Sequence, residues 1–224
     1  MSDDRAGADP NDGVDDAVGA GADASWPVAL RGVTESVVAT LGPNEKWNFA
    51  ALGLHASDPN DESRADGEPD DGRTRAYTWG RTRTWRNFDE RGGGYVQFTR
   101  DPVAFVESAL GTYERDEAIH PSADAWVRVA ASSLGAAEVE GTRREEWALE
   151  PVESSVVSRT VPTTRRGYNA VVEATVAASR LDVPAYDTEE LRSRLSYFER
   201  VVETCGDARE REAMARIDEL VRRR

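Results

Sequence analysis

Cysteine, histidine and lysine are nearly missing from this chain. Cys205 stands alone, which excludes an intrachain disulfide and a cysteine-rich zinc cluster. His55 and His120 are the only histidines, so a histidine-rich centre is excluded too, and no metal site is expected. Lys46 is the only lysine among 28 basic residues, and the other 27 are arginine. No apolar run approaches the roughly 18 residues of a membrane span. The N-terminus has no basic region followed by an apolar core, so no signal peptide is expected. These absences place the protein in the cytoplasm as a sequence expectation, with no membrane partner.

Acid is what abounds. Asp and Glu number 42, the formal charge is -14 and the pI is about 4.7. An acidic surface with arginine in place of lysine suggests a halophilic protein. In molar salt the Debye length falls to about 3 Å, so like charges stop repelling and surface charge keeps the chain soluble. Nucleic acid is not an expected partner, because its binding requires a basic face. The tail Arg222-Arg223-Arg224 is better read as favourable charge at a helix C-terminus.

Residues 1–25 are Asp, Ala and Gly with little to bury, and disorder is expected there. Gly32–Leu41 and Lys46–Leu54 read as two strands joined by the turn Gly42-Pro43-Asn44-Glu45. An acidic surface insertion, 57–73, follows. Arg75–Trp79 and Tyr95–Thr99 read as short strands, with Gly92-Gly93-Gly94 breaking the chain between them. Asp101 is a plausible N-cap with Pro102 at the first helical position, and Gly111 ends that helix. Ala125–Ala131, Glu138–Leu149 and Val152–Ser158 continue the β pattern, broken at Gly135, Gly141 and Pro151. Six or seven strands with short helices between them favour a barrel or sandwich over 26–160. From 161 to 224 the period becomes helical. Helices are expected over Gly167–Leu181, from Asp187 to a cap at Gly206, and from Asp207 onward, as a three-helix subdomain.

One stretch runs against the charge background. Gly80-Arg81-Thr82-Arg83-Thr84-Trp85-Arg86-Asn87 crowds three arginines and two threonines into eight positions. A phosphate dianion would suit it. Guanidinium offers a planar fork of donors, hydroxyl offers another, and a helix from Thr84 to Arg91 would add free backbone N–H groups. A solvated turn whose arginines pair with nearby acids is the plain alternative. A second stretch is small. Ala50, Ala51 and Gly53 would let a flat ligand approach the backbone closely. Trp79 and Trp85 are candidates to stack on such a ligand or to fill the core. His55 is the best single candidate for an acid or base, and Cys205 is expected to be inert.

The order and spacing of four pieces are similar to an archaeal domain-of-unknown-function family of FMN-binding split barrels. That family is related to flavin-reductase-like and pyridoxamine-phosphate-oxidase-like barrels. The pieces are Glu35–Thr40 followed by Asn48–Gly53, then Thr82–Phe88, then Val96–Phe105, then Arg166–Ala174 with Cys205–Glu212. The resemblance implies an α+β fold, a split β-barrel with a C-terminal helical subdomain. It implies a homodimer holding FMN near its interface, with NAD(P)H or another electron donor. The flavin phosphate would meet Arg81, Thr82, Thr84 and Asn87. The ring would lie against Asn48, Ala50, Ala51, Leu52 and Gly53. Where relatives often carry proline this chain has Ala51, and the acidic insertion is a further departure. The activity implied is that of a flavin-dependent oxidoreductase or flavin reductase. A non-catalytic flavin-binding or interaction module is the alternative.

Overall fold

Strands close on themselves in this protein. The computed structural model describes residues 25–56, 72–139 and 141–223. The expected disorder over 1–25 and most of the insertion 57–73 lie outside the described residues. Seven strands alternate with helices: β1 (Val33–Leu41), β2 (Trp47–His55), β3 (Thr74–Trp79), α1 (Arg83–Arg91), β4 (Gly93–Thr99), α2 (Pro102–Leu110), β5 (Tyr113–Arg115), β6 (Ala123–Val139) and β7 (Thr142–Val156). Three helices follow, α3 (Arg166–Ser179), α4 (Thr188–Cys205) and α5 (Ala208–Arg222). The strand order β1-β4-β6-β7-β3-β2 returns to β1 through a β1–β2 ladder running from Val33↔His55 to Leu41↔Trp47. Every pairing is antiparallel, and β5 is added at the start of β2. This is the expected α+β split barrel.

The barrel interior is apolar. Val38, Leu52, Leu54, Ala76, Val96, Val127, Trp147 and Leu149 point inward, and Phe88 enters from α1. A smaller cluster of Val37, Ala39 and Phe49 on the outer face is covered by Phe105 of α2. The helices have their own core, where Val106 and Leu110 of α2 join Val171, Val202, Met214 and Ile217. So α2, which lies in the barrel half of the sequence, is also the helix that ties the two cores together.

Two expected breaks are not breaks. β6 runs through Gly135 and β7 runs through Pro151, and the register shifts at both places. A bulge absorbs a glycine at φ +129° and a proline that cannot donate to the ladder, so neither ends its strand. Gly141 alone is a true turn, at φ +75°. The glycine triplet also divides. Gly92 caps α1 in the left-handed region at φ 68°, whereas Gly93 and Gly94 belong to β4. A Cβ on Gly94 would lie 2.6 Å from Ala39 O, a backbone atom that cannot swing away. Gly94→Ala is therefore expected to cost about 1–3 kcal/mol, the range for overpacking, read as a lowered denaturant midpoint.

The joint between barrel and helices is ionic. Arg209 of α5 holds Asp101, the N-cap of α2, through Nε and Nη2 at 2.9 and 2.7 Å. Arg216 donates to Glu107 at 2.5 Å. Within the helical part, Arg165 donates to Asp207 and forms an ion pair at 2.7 Å with the buried Glu210 Oε1. Burial works to raise the Asp101 carboxyl, but the Arg209 guanidinium and the Val103 N–H outweigh it and hold it below its ordinary value. Asp207 is held low chiefly by the Glu210 backbone N–H. A depressed carboxyl stabilises the fold above its unfolded value, and that stability is lost as pH falls through the folded value. Tm should be flat near neutrality and drop below about pH 4. Asp101→Asn should lower the plateau and flatten the drop, and an unchanged profile would show that the joint is not ionic.

Candidate functional site

Among the described residues, pairing along one edge of β2 is interrupted. β1 occupies one of its edges throughout. On the other edge, β3 pairs only with Leu54 and His55, and β5 only with Trp47, Asn48 and Phe49. Ala50, Ala51, Leu52 and Gly53 have no strand on that edge among the described residues. β3 leaves β2 after Ala76 to follow β7, pairing with it as far as Trp79↔Arg144. The barrel is split at this gap, and the small residues of β2 line it. Side chains there alternate. Ala50 and Leu52 pack with the barrel core, so they offer a ligand backbone only. Ala51 and Gly53 lie on the outer face, where Ala51 packs against the Phe49 and Phe105 cluster. The Leu52 carbonyl accepts Ser36 Oγ–H at 2.6 Å.

The arginine and threonine stretch sits where β3 gives way to α1. Thr82 is the N-cap, and its Oγ1 accepts the Trp85 N–H at 3.2 Å. Thr84, Asn87 and Phe88 form the buried stripe of the helix. Asn87 Nδ2 donates to Thr40 Oγ1 at 2.9 Å, which pins α1 to β1. Asn48, also buried, faces Thr40 in the register. Arg83 is held by Glu114 of β5 at 2.5 Å, an ion pair that spans the split from α1 to β5. Arg81 differs. Its guanidinium lies 5.4 Å from the Trp85 ring centroid, it is exposed, and it has no carboxylate partner among the described residues. The N–H groups of Arg83 and Thr84 have no acceptor within the helix.

Several residues here were not singled out by the sequence. Arg143 lies over the Trp85 ring at 5.9 Å, so two guanidiniums share one indole. Buried Glu145 holds Arg143 and the indole. It accepts Ser133 Oγ–H at 2.6 Å, Arg143 Nη2–H at 2.6 Å and Trp85 Nε1–H at 3.2 Å, and the Ser133 bond is the chief cause of its lowered pKa. On the outer face Tyr77 carries the Arg144 guanidinium at 4.7 Å and the His55 ring at 4.8 Å. Arg143-Arg144-Glu145-Glu146 lies within Glu138–Leu149, which the sequence marks as β pattern without saying which charges face inward. Only the alternation of β7 sends Glu145 inward and Arg144 outward.

The structure thus sets Ala50, Ala51, Leu52 and Gly53 along the open edge, with Asn48 paired to β5 just before it. Arg81, Thr82, Thr84 and Asn87 lie on the adjoining helix start. Within that set only Arg81 has a side chain without a hydrogen-bonded or buried role. Trp79 is half exposed, whereas Trp85 packs partly against the barrel core. His120 is held elsewhere. Its Nδ1 accepts the Ser122 N–H at 3.1 Å, which leaves Nε2 to face Tyr113 Oη at 3.1 Å, and burial pushes the imidazole pKa down. A crevice of about 250 Å³ opens at the joint between Asp101, Asp124, Asp207 and the arginines Arg100, Arg165 and Arg209. Each of those guanidiniums is on a carboxylate, so the split in the barrel is the better ligand site. Among the described residues no cluster of His, Cys, Asp or Glu is built to hold a metal, and no helix is long and apolar enough to cross a membrane.

Comparison with known proteins follows the two halves of the chain. Residues 34–158 match the N-terminal domain of a family described as protein of unknown function, DUF447, and residues 165–219 match its C-terminal part. Among solved structures, an FMN-bound protein of that family from Methanosarcina mazei is 22% identical, with a TM-score of 0.67. The match covers 85% of this chain and 96% of that one. A flavoredoxin from Methanosarcina acetivorans is 8% identical over 62% of this chain and 79% of its own, at a TM-score of 0.38. The flavin reductase HpaC complexed with NADP+ is 12% identical over 58% and 81%, at 0.36.

Proposed function

The chain belongs to the DUF447 family, and on that premise we propose that it is an FMN-binding split-barrel protein acting as a flavin-dependent oxidoreductase or flavin reductase. One observation carries the reading: among the described residues a strand edge of small residues lies open in the barrel wall, and α1, which packs against that strand, begins beside a stacked guanidinium that has no carboxylate partner. FMN joins a flat ring with a polar rim to a phosphate dianion, and its protein must offer both surfaces. The ring is placed along Ala50, Ala51, Leu52 and Gly53, with backbone groups at its rim and Asn48 at its end. The phosphate is placed at Arg81 and the first turn of α1. Thr82 shapes that turn as N-cap, and Thr84 and Asn87 hold the helix against the barrel. Bound FMN would supply hydride transfer, and these residues would hold and orient it. A nicotinamide donor and a homodimeric assembly complete the proposal.

Purified protein mixed with FMN and passed through a desalting column should retain about one flavin per chain. Failure to retain flavin in salt that keeps the fold intact would overturn the binding reading. Retention without NAD(P)H oxidation across a panel of acceptors would leave a flavin-binding module and remove the enzyme.

A further inference from the structure

The outer face of β1 carries a carboxylate that no described cation neutralises. Val37 and Ala39 belong to the outer cluster, so alternation puts Glu35 on the same face. Its register partner is Gly53, one of the four residues on the open edge of β2. Adjacent strands lie about 4.8 Å apart, and Gly53 places no side chain between Glu35 and that edge. Among the described residues a Cβ on Gly53 would meet only Val33 Cγ1, at 3.2 Å. Three other ionisable groups share this face. Glu173 and Tyr168 come from α3, and His55 follows Gly53 on β2. Tyr168 gives its proton to Thr99 O at 3.2 Å, and burial pushes its pKa up to about 12. His55 lies past the gap, where β3 pairs with β2, and its ring stands edge-on to Tyr77. The arginines beyond β4 and before α3, Arg100 and Arg165, are held by Asp124 and Asp207. The Glu35 side chain has no hydrogen-bond or ion-pair partner among the described residues. The residue is exposed, yet desolvation and then the charge of Glu173 raise its pKa.

We propose that Glu35 is the proton donor of the split, delivering over Gly53 to a ligand seated on the open edge of β2. The inference rests on the flavin reading and adds the acid that reading lacks. Reduction by a nicotinamide donor is FMN + NAD(P)H + H+ → FMNH2 + NAD(P)+. A C–H bond of the donor breaks, and its hydrogen leaves with both electrons. The second hydrogen arrives without electrons, so a proton must be delivered. The Glu35 O–H bond breaks to give it, and the carboxylate is refilled from solvent, which its exposure allows. A raised carboxyl keeps more of its acid form near neutrality, where a general acid has to work. Glu173 acts through Glu35, as the charge that helps hold the proton on it. By residue type His55 is the better acid. The register favours Glu35, because its partner Gly53 is on the open edge, whereas His55 is already paired with Arg75 of β3.

Carbon-13 NMR of the full chain, labelled at glutamate Cδ, tests the assignment without turnover. One carboxyl should titrate above the other glutamates, disappear in Glu35→Gln and change its midpoint when FMN is added. Glu173→Gln should lower that midpoint, because its charge helps to raise it. Stopped-flow reduction of bound FMN by NAD(P)H at pH 7 should slow about 100-fold in Glu35→Gln, the lower end of what a general acid contributes. FMN affinity should stay as in the wild type. The wild-type rate should fall as pH rises through the Glu35 midpoint, and Glu173→Gln should move that fall to lower pH, which a merely structural role would not do. An unchanged rate in Glu35→Gln, or a Glu35 midpoint indifferent to FMN, overturns the proton role and leaves the flavin reading standing. A wild type that retains no FMN overturns both. Where FMN is retained but NAD(P)H is not oxidised, the response of the Glu35 midpoint to FMN decides.

Discussion

Trp147→Ala is expected to cost about 3–5 kcal/mol, the range for deleting a buried large aromatic. Trp147 is 2% exposed, and its ring centroid lies 5.3 Å from that of Phe88, where α1 plugs the barrel. Its Nε1 donates to Thr78 Oγ1 at 2.9 Å, and Thr78 is buried as well. Truncation therefore removes packing between α1 and β7 and strips a buried hydroxyl of its donor. Trp147→Phe separates the two terms. It keeps most of the ring and loses the donor, so it should cost about 1–3 kcal/mol. Denaturant midpoints with unchanged slopes check both values. Equal losses in the two variants would mean that the hydrogen bond to Thr78, not the packing against Phe88, carries the contribution of this side chain.

The strands and helices were largely legible because short-range chemistry fixes them. Asp101 with Pro102 and Asp187 with Glu189 and Glu190 mark helix starts by donors that must be capped, and both marks are where α2 and α4 begin. Asp207 does the same for α5, as a full capping box with Glu210. What local chemistry cannot show is whether a turn residue ends a strand or is absorbed by it. That depends on the neighbour, and β6 and β7 brace one another across both bulges. β5 was missed for the same reason. Tyr113-Glu114-Arg115 is too short to show a period and is a strand only because Trp47–Phe49 pair with it.

The site divides along the same line. A patch of small residues and a cluster of arginines are visible in any listing of the sequence. The gap between them is not, because it arises where β3 leaves β2 for β7. Nor does sequence say which of several guanidiniums is free. Arg81 and Arg83 look alike there, yet Arg83 is held by Glu114, more than thirty residues on, while Arg81 rests on Trp85.

That difference gives the second large prediction. Arg81→Ala should weaken FMN binding by about 10- to 100-fold, since a hydrogen bond to a charged group contributes about 1.5–3 kcal/mol. Arg83→Ala should change affinity far less, because that guanidinium already serves Glu114. Arg81→Lys should recover only part of the loss, because an ammonium lacks the planar fork that grips two phosphate oxygens and stacks on an indole. Titration followed by flavin fluorescence reads all three. Molar salt makes the contrast cleaner. With a Debye length of about 3 Å the general acidity of the chain is screened, so the loss reports direct contact and not long-range attraction. Riboflavin, which lacks the phosphate, serves as the internal control. Its affinity should not respond to Arg81. Equal weakening for riboflavin and FMN would move Arg81 from the phosphate to the ring, and no weakening for either would move the phosphate site off the start of α1.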